Sequence, residues 1–170
     1  MKKYTKINKL EYKEYKPEYF AEIFAIFWEF QKKDKISMYE NLCKNQSDLM
    51  IAMYLTEELK QLCSKCSKKF VAFLPETNEI VGFAFFSENY FSKNCLELQF
   101  ACKKPKYIYC KAFRDCLFEC IYNIRDDKKV VAVLGKREKF NKYLNFIKRI
   151  MNIDIINVDQ YENTLVEIKL

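Results

Sequence analysis

The chain contains no histidine, and only two glycines and three prolines occur among its 170 residues. The absence of histidine excludes a catalytic Cys–His pair. The scarcity of glycine and proline argues against a disordered, collagen-like or turn-rich all-β chain. Half of the residues are hydrophobic and 16% are aromatic, so a chain of this length can bury a substantial core. We predict one domain that spans residues 1–170.

The sequence predicts neither a secretion signal nor a membrane span. Lysine and glutamate interrupt the first twenty residues at every second or third position, so no hydrophobic signal segment is present. The longest hydrophobic run, YFAEIFAIFWEF, contains Glu22 and Glu29 and is too short to cross a bilayer. We therefore expect a cytoplasmic protein without a membrane partner.

The net charge of +7 could indicate a nucleic-acid partner. Acidic residues are interspersed along most of the chain, however, and the abundance of Lys, Asn, Ile, Tyr and Phe is typical of an AT-rich coding sequence. That bias in codon usage supplies lysines without any selection for binding an acidic partner. We therefore do not take the charge as evidence of nucleic-acid binding.

The eight cysteines are expected to stay reduced in the cytoplasm and to serve mostly as small buried residues. Cys63 and Cys66 form a CxxC motif, which is a common spacing of metal ligands. A structural zinc site would need a second such pair or two histidines. Cys116 and Cys120 lie one helical turn apart within a hydrophobic face. We predict no metal site.

The first part of the chain predicts one strand and two helices. A strand is predicted over Tyr4–Tyr12, and Pro17 suits the first turn of the helix that follows. That helix, PEYFAEIFAIFWEFQKK, is hydrophobic over most of its circumference. A second helical region covers Met38–Cys66 and is interrupted near Asn45–Asp48, where NQSD is typical of a helix cap and turn.

Shorter β-type segments follow. KKFVAFL and IVGFAFFSE predict a β-hairpin around the polar turn PETNE, and CLELQFAC predicts a third strand. In YIYCKAFRDCLFECIYNI, polar residues recur at every fourth position, which predicts a helix with one solvated stripe. KKVVAVLG predicts a buried strand, REKFNKYLNFIKRI a basic amphipathic helix, and DIINVDQYENTLVEIKL one or two strands. This order predicts an α/β fold with a mixed central sheet of about six or seven strands and about four flanking helices.

Three stretches in this order resemble segments of the GNAT acyltransferases, the acetyl-CoA-dependent N-acyltransferase superfamily, and above all its divergent phage-type members. NEIVGFAFFS is similar to the second and third strands of that family. LELQFACKKPKYIYCKAF is similar to its fourth strand with the cofactor-binding loop and helix, and KVVAVLGKREKFNKYLNFIKRI to its fifth strand and next helix. The resemblance implies a GNAT-like fold and the transfer of an acetyl group from acetyl-CoA to a primary amine.

The resemblance also implies where acetyl-CoA binds, namely between the fourth and fifth strands. Pantetheine would pair with the backbone of the fourth strand. The pyrophosphate would meet backbone N–H groups and lysines at the start of the following helix. The loop lacks glycine, and its lysines could equally be solvated surface residues. The residues implied as cofactor-binding are Phe100, Ala101, Cys102, Lys103, Lys104, Lys106, Tyr107, Ile108 and Asn141.

Two residues are implied as catalytic. Glu97 on the fourth strand would be the base that deprotonates the amine, and Tyr143 would protonate the leaving thiolate. On β-strand periodicity alone, Glu97 points away from the core face, since it alternates with Leu96 and Leu98. An exposed strand carboxylate is therefore the favoured interpretation of Glu97. Tyr143 is one of twelve tyrosines, and surface packing is its default role.

Two other functions stay open. One is a catalytically degenerate protein that keeps the fold and serves in binding or assembly, for example in a phage. The other is a nucleic-acid-binding module that uses the basic helix at residues 137–150. The acceptor amine is open as well, whether a small molecule or a protein amino group. A sheet edge near the C-terminus could pair two copies into a homodimer.

Overall fold

The structure is a computed structural model that describes residues 9–33, 46–88, 93–107, 111–134, 145, 147–149, 151–160 and 163–170. These residues form seven strands and three α-helices, and residues 147–149 are helical as well. In chain order the elements are Glu11–Glu14 (β1), Phe20–Lys33 (α1), Asp48–Lys65 (α2), Lys68–Phe73 (β2), Ile80–Glu88 (β3), Cys95–Lys103 (β4), Lys111–Ile124 (α3), Lys129–Leu134 (β5), Ile153–Val158 (β6) and Thr164–Ile168 (β7).

Within the described residues, the element order predicted from the sequence is confirmed, with some shifted bounds. Residues 4–8 of the predicted first strand, residues 38–45 of the second helical region and most of the helix predicted at residues 137–150 lie outside the described residues. β1 ends at Glu14 instead of residue 12, because EYKE pairs antiparallel with β2 despite its polar side chains. The helix after β4 begins at Lys111, and Pro105–Tyr107 form a separate turn of 3₁₀-helix. The NQSD stretch acts as predicted: Ser47 caps α2, and its Oγ accepts a hydrogen bond from the Met50 backbone N–H at 3.4 Å.

The strands form one sheet in the order β1-β2-β3-β4-β5-β7-β6. Neighbouring strands are antiparallel except β4 and β5, which are parallel. The β4–β5 pairing joins Cys95–Leu98 to Lys129–Ala132 and extends no further within the described residues. Because β4 continues to Lys103 and β5 to Leu134, the two strands separate after Leu98 and leave a gap in the middle of the sheet.

A β-bulge lies where the two strands separate. Phe85 of β3 pairs with Phe100, and Phe86 pairs with Leu98, so that Gln99 is an extra residue on β4. A bulge bends its strand and increases the local twist. The bulge therefore accounts for the change in direction of β4 away from β5.

Helices cover both faces of the sheet. On one face, α1 and α2 bury the hydrophobic side chains Ile23, Phe27, Leu55 and Leu59, which belong to one core cluster with Val71 of β2 and Phe83 of β3. On the other face, α3 buries Leu117, Cys120 and Ile121 against β3, β4 and β5. The predicted solvated stripe of α3 is confirmed, since Lys111, Asp115, Glu119 and Asn123 are all exposed. No helix in the described ranges is long and hydrophobic enough to cross a bilayer.

Lys68, at the start of β2, connects the C-terminal end of α3 to the sheet. Its Nζ donates a hydrogen bond to the Ile124 carbonyl oxygen at 2.7 Å. The same Nζ lies 3.1 Å from Glu88 Oε1 and 3.4 Å from Asp126 Oδ2. A cation at this position satisfies a carbonyl that the helix leaves without an internal partner. Lys68 is thus a half-buried link between α3, β2 and β3.

We expect Lys68→Met to lower the free energy of unfolding by about 1–2 kcal/mol, because it leaves the Ile124 carbonyl without its donor and Asp126 without its cation, whereas Glu88 keeps Lys128 at 3.1 Å. Urea denaturation measures this change. Lys60→Met is the matched control, since Lys60 pairs with Glu57 at 2.7 Å on the exposed surface of α2. Its expected effect is below about 0.5 kcal/mol. Equal losses in the two variants would contradict the role assigned to Lys68.

Candidate active site

Glu97 lies on β4, two residues before the bulge, and its side chain points to the face covered by α1 and α2. The residue is only 5% exposed. Its Oε2 atom is buried and has no hydrogen-bond partner among the described residues. The prediction of an exposed carboxylate was therefore wrong. The physical reason is that helices cover both faces of the sheet, so alternation along β4 does not separate a buried side from a solvated one.

Close neighbours define the surroundings of Glu97. Ser87 stands directly opposite on β3, and its Oγ donates to Cys66 Sγ at 3.9 Å. Val131 stands beside Glu97 on β5. Burial raises the pKa of Glu97, and a hydrogen bond with the side chain of Gln99 lowers the pKa by a smaller amount. A buried carboxyl with a raised pKa is a characteristic feature of sites where protons are transferred.

The part of β4 beyond the bulge faces the gap. Phe100, Ala101 and Cys102 lie there, and their edge toward β5 has no strand partner within the described residues. From Glu97 to Lys103 the strand spans roughly 20 Å, at ~3.3 Å per residue. Across the gap, Val133 follows Ala132, the last residue of β5 that pairs with β4, and is 44% exposed. An extended ligand could thus pair with the backbone of β4 between hydrophobic side chains.

The basic loop after β4 is held against the β2–β3 turn by Glu79. Lys104 Nζ lies 2.8 Å from Glu79 Oε1, and Lys106 Nζ lies 2.7 Å from the same oxygen. The Tyr107 hydroxyl donates to Glu79 Oε2 at 3.3 Å. The structure therefore brings three residues that the sequence resemblance implied as cofactor-binding, namely Lys104, Lys106 and Tyr107, to a single carboxylate.

Sequence reasoning missed Glu79 as a functional residue. It ends the polar turn PETNE, 25 residues before Lys104, and nothing in its local pattern connects it with the loop. The available signal was the hairpin itself. An antiparallel β3–β4 pair brings the start of β3 next to the end of β4, and the loop continues from that end.

Gly82 on β3 lets the backbone of β4 and the Phe113 ring of α3 lie close to β3. A Cβ atom built at Gly82 would lie 2.5 Å from the Cys102 carbonyl oxygen and 2.5 Å from Cε2 of Phe113 on α3. No side chain fits there without displacing β4 or α3. The backbone of the loop is fixed nearby, because the Lys104 N–H donates to the Val81 carbonyl oxygen at 2.7 Å.

The CxxC pair lies at the end of α2, outside the gap. Burial raises the pKa of both the Cys63 and the Cys66 thiol. Burial and the contact with Cys63 raise the pKa of the Tyr15 hydroxyl to about 12. Within the described ranges, no three Cys, Asp or Glu side chains gather closely enough to hold a metal ion. Because burial raises both pKa values above the ordinary thiol value, we expect the two thiols to stay protonated at neutral pH.

The other predicted site residues are Lys103, Ile108, Asn141 and Tyr143. Lys103 is the last residue of β4 and pairs with Gly82 through the β3–β4 ladder. Ile108, Asn141 and Tyr143 lie outside the described residues.

Comparison with known proteins identifies the fold. No model of a protein family matches the sequence, and no curated protein matches it significantly. An acetyltransferase from Thermus thermophilus has a TM-score of 0.65 at 13% identity, with 97% of this chain and 99% of that one covered. PaiA N-acetyltransferase from Thermoplasma acidophilum, solved in complex with coenzyme A, has a TM-score of 0.66 at 15% identity, with 96% of this chain and 100% of that one covered. A GNAT-family acetyltransferase from Staphylococcus aureus has a TM-score of 0.59 at 16% identity, with 93% of this chain and 97% of that one covered. The chain therefore has the fold of the GNAT acetyltransferases.

Proposed function

We propose that the protein is an N-acyltransferase that moves an acetyl group from acetyl-CoA to a primary amine. The observation that carries this proposal is Glu97, a buried carboxylate with an unpaired oxygen beside the point where β4 leaves β5. An amine that attacks a thioester must lose a proton, and a positioned carboxylate with a raised pKa is suited to accept that proton. The similar fold of an acetyltransferase that was solved with coenzyme A supports an acyl-CoA as the donor.

The residues around the gap fit such a donor. The backbone of Phe100–Cys102 would pair with the pantetheine chain. Lys103, Lys104 and Lys106 would attract the phosphates, together with the N-terminal end of α3. The thioester supplies an activated acetyl group. Ile108 and Asn141 belong to the same proposal as further contacts to the donor.

The proton transfers can be assigned to two side chains. As the amine nitrogen bonds to the acetyl carbon and the carbon–sulfur bond breaks, Glu97 accepts the proton that the nitrogen loses. Tyr143 would donate a proton to the leaving sulfur. The chain thus contributes positioning and a base, and positioning alone can supply much of the rate of such a transfer.

A calorimetric titration with acetyl-CoA tests this proposal, with coenzyme A as the control ligand. A micromolar dissociation constant, about −8 kcal/mol, would support it. The second step is an acceptor screen that measures the release of the coenzyme A thiol with small-molecule amines and with protein amines. Absence of heat and of thermal stabilisation at millimolar acetyl-CoA would overturn the proposal.

We place the reaction in the cytoplasm.

A binding protein that keeps the fold without catalysis is the second candidate. It is favoured by the pairing of Lys104 and Lys106 with Glu79, which leaves these lysines already occupied. Absence of acetyl-CoA binding, together with saturable binding of a macromolecular partner, would favour this candidate. Binding to DNA or RNA with a steep salt dependence would instead favour the basic segment at residues 137–150 as the functional surface.

Pairing of two chains would use β6, the edge strand of the sheet near the C-terminus. Its Ile155, Ile156 and Val158 side chains are 43%, 50% and 53% exposed. Exposed hydrophobic side chains on an edge strand favour pairing with another strand. The homodimer stays a prediction, and sedimentation velocity at several protein concentrations would check it.

A further inference from the structure

The contacts of Glu79 define an anion-binding site that the protein fills with its own carboxylate. Two ammonium groups and one phenol converge on the two oxygens, at 2.8, 2.7 and 3.3 Å. All three donors belong to the loop between β4 and α3, whereas Glu79 comes from the β2–β3 turn. The donors are thus arranged by one segment, and the anion is supplied by another.

The site is half-buried, so its charges are only partly screened by solvent. The side chains of Lys104 and Glu79 are 25% and 30% exposed, and Lys106 is more open at 55%. Burial raises the pKa of Glu79, but the two lysines lower it by more, and the net shift is downward. Glu79 is therefore ionised at neutral pH. Two ammonium groups face one carboxylate here, so the three side chains carry a net positive charge.

We propose that Glu79 is an internal competitor for the phosphate groups of the acyl donor, so that a phosphate must displace its carboxylate from Lys104 and Lys106 in order to bind. This inference rests on the proposed function, which places the phosphates of acetyl-CoA at the same loop. Charge-assisted hydrogen bonds from lysine serve carboxylate and phosphate oxygens alike. A phosphate carries more charge and more acceptor oxygens than a single carboxylate, so it can replace Glu79.

The glycine-free loop makes such a side-chain exchange reasonable. A loop with a Cβ at every position cannot bring its backbone as close to a phosphate as glycines allow. Here the loop backbone is fixed, since the Lys104 N–H donates to the Val81 carbonyl oxygen and the Tyr107 N–H donates to the Lys104 carbonyl oxygen. Lysine side chains, in contrast, can exchange one anion for another without any backbone movement. Glu79 then lowers the affinity for phosphate-bearing ligands and leaves the affinity for the thioester itself unchanged.

The test compares the wild type with Glu79→Gln, which keeps the shape of the side chain and removes its charge. Three probes are titrated: acetyl-CoA, acetyl-pantetheine, which carries the same thioester without phosphate, and inorganic pyrophosphate. We expect the dissociation constants of acetyl-CoA and pyrophosphate to fall by about 3- to 30-fold, the equivalent of two weak ion pairs. The constant of acetyl-pantetheine should not change. A purely structural role of Glu79 would not produce this selectivity for phosphate.

Glu76→Gln is the matched control, because it removes the same charge from the exposed part of the same turn while Lys104 and Lys106 pair with Glu79. Glu76→Gln should change the logarithm of the pyrophosphate dissociation constant by less than half as much as Glu79→Gln does. Glu79→Asp is the second variant. It keeps the charge in the turn but shortens the side chain, so it should tighten phosphate binding in the same direction even if Glu79→Gln folds poorly.

The outcomes separate the inference from the proposed function. Wild-type protein that binds acetyl-CoA, with variants that bind it no more tightly, would overturn the inference and leave the proposed function intact. Failure of the wild type and both variants to bind acetyl-CoA would overturn the proposed function. In that case the inference about the acyl donor is overturned as well, and tighter pyrophosphate binding by the Glu79 variants would show only that Glu79 competes with phosphate anions at this loop.

Discussion

Replacing Glu97 by glutamine is expected to lower kcat/KM for acetyl transfer by about 10²–10⁴-fold, the usual contribution of a positioned general base. The dissociation constant of acetyl-CoA should change little, because the base acts on the amine and not on the donor. Stopped-flow or steady-state release of coenzyme A measures the rate, and calorimetry measures the affinity. A variant that keeps its rate would remove Glu97 from the mechanism.

The same substitution should make the protein more stable at neutral pH. Burial raises the pKa of Glu97 in the folded state, so the folded chain binds this proton more tightly than the unfolded chain. The free energy of unfolding therefore falls as pH rises from the unfolded pKa through the folded pKa, and it stays lower above it. We expect Glu97→Gln to raise the thermal midpoint by a few degrees at pH 7. The gain should disappear at pH values below the unfolded pKa.

Glu167→Gln is the control for both measurements. Glu167 lies on β7 and pairs with Val131, the same β5 residue that pairs with Glu97. Its carboxylate is 2.9 Å from Lys169 Nζ, and that hydrogen bond lowers the pKa of Glu167. This variant should keep full activity and lose a little stability at neutral pH. If Glu97→Gln loses activity and gains stability, whereas Glu167→Gln keeps activity and loses stability, the proton transfer is assigned to the buried, unpaired carboxylate.

The element order was predictable because local patterns dominate it. IVGFAFFSE has the β-branched and aromatic residues of a strand, and β3 has those bounds, Ile80–Glu88. The spacing of polar residues in α3 is equally local. The end of β1 was predicted two residues too early because its sequence, EYKE, has no hydrophobic alternation, and its pairing with β2 decides the conformation.

The features that build the candidate site depend on contacts between distant segments. The bulge at Gln99 and the end of the β4–β5 pairing come from the register of three strands, which no single stretch encodes. The burial of Glu97 follows from α1 and α2 covering its face of the sheet. The pairing of Glu79 with the loop follows from the geometry of the hairpin. These are the points at which pattern reading along the chain fails.

Gly82→Ala is expected to lower the free energy of unfolding by about 1–3 kcal/mol, the range for overpacking of a core. In an ordinary strand the change would stabilise, since glycine is less favourable than alanine by roughly 0.5–1 kcal/mol. At Gly82 the new methyl group would lie 2.5 Å from both the Cys102 carbonyl oxygen and the Phe113 ring. The ring can rotate away, but the carbonyl belongs to the β3–β4 ladder. Crowding should therefore outweigh the gain in backbone entropy.

The crowding caused by Gly82→Ala has a second consequence, because Gly82 pairs with Lys103 at the start of the basic loop. A shift of β4 at this point moves the residues proposed to hold the donor. We expect the dissociation constant of acetyl-CoA to rise together with the loss of stability, measured by urea denaturation and calorimetry on the same preparation. Phe113→Leu in the Gly82→Ala background should restore part of the stability and little of the affinity, since it relieves the ring but not the carbonyl. A Gly82→Ala protein as stable as the wild type would show that β4 and α3 can move apart freely, and the loop could then not be a preformed site.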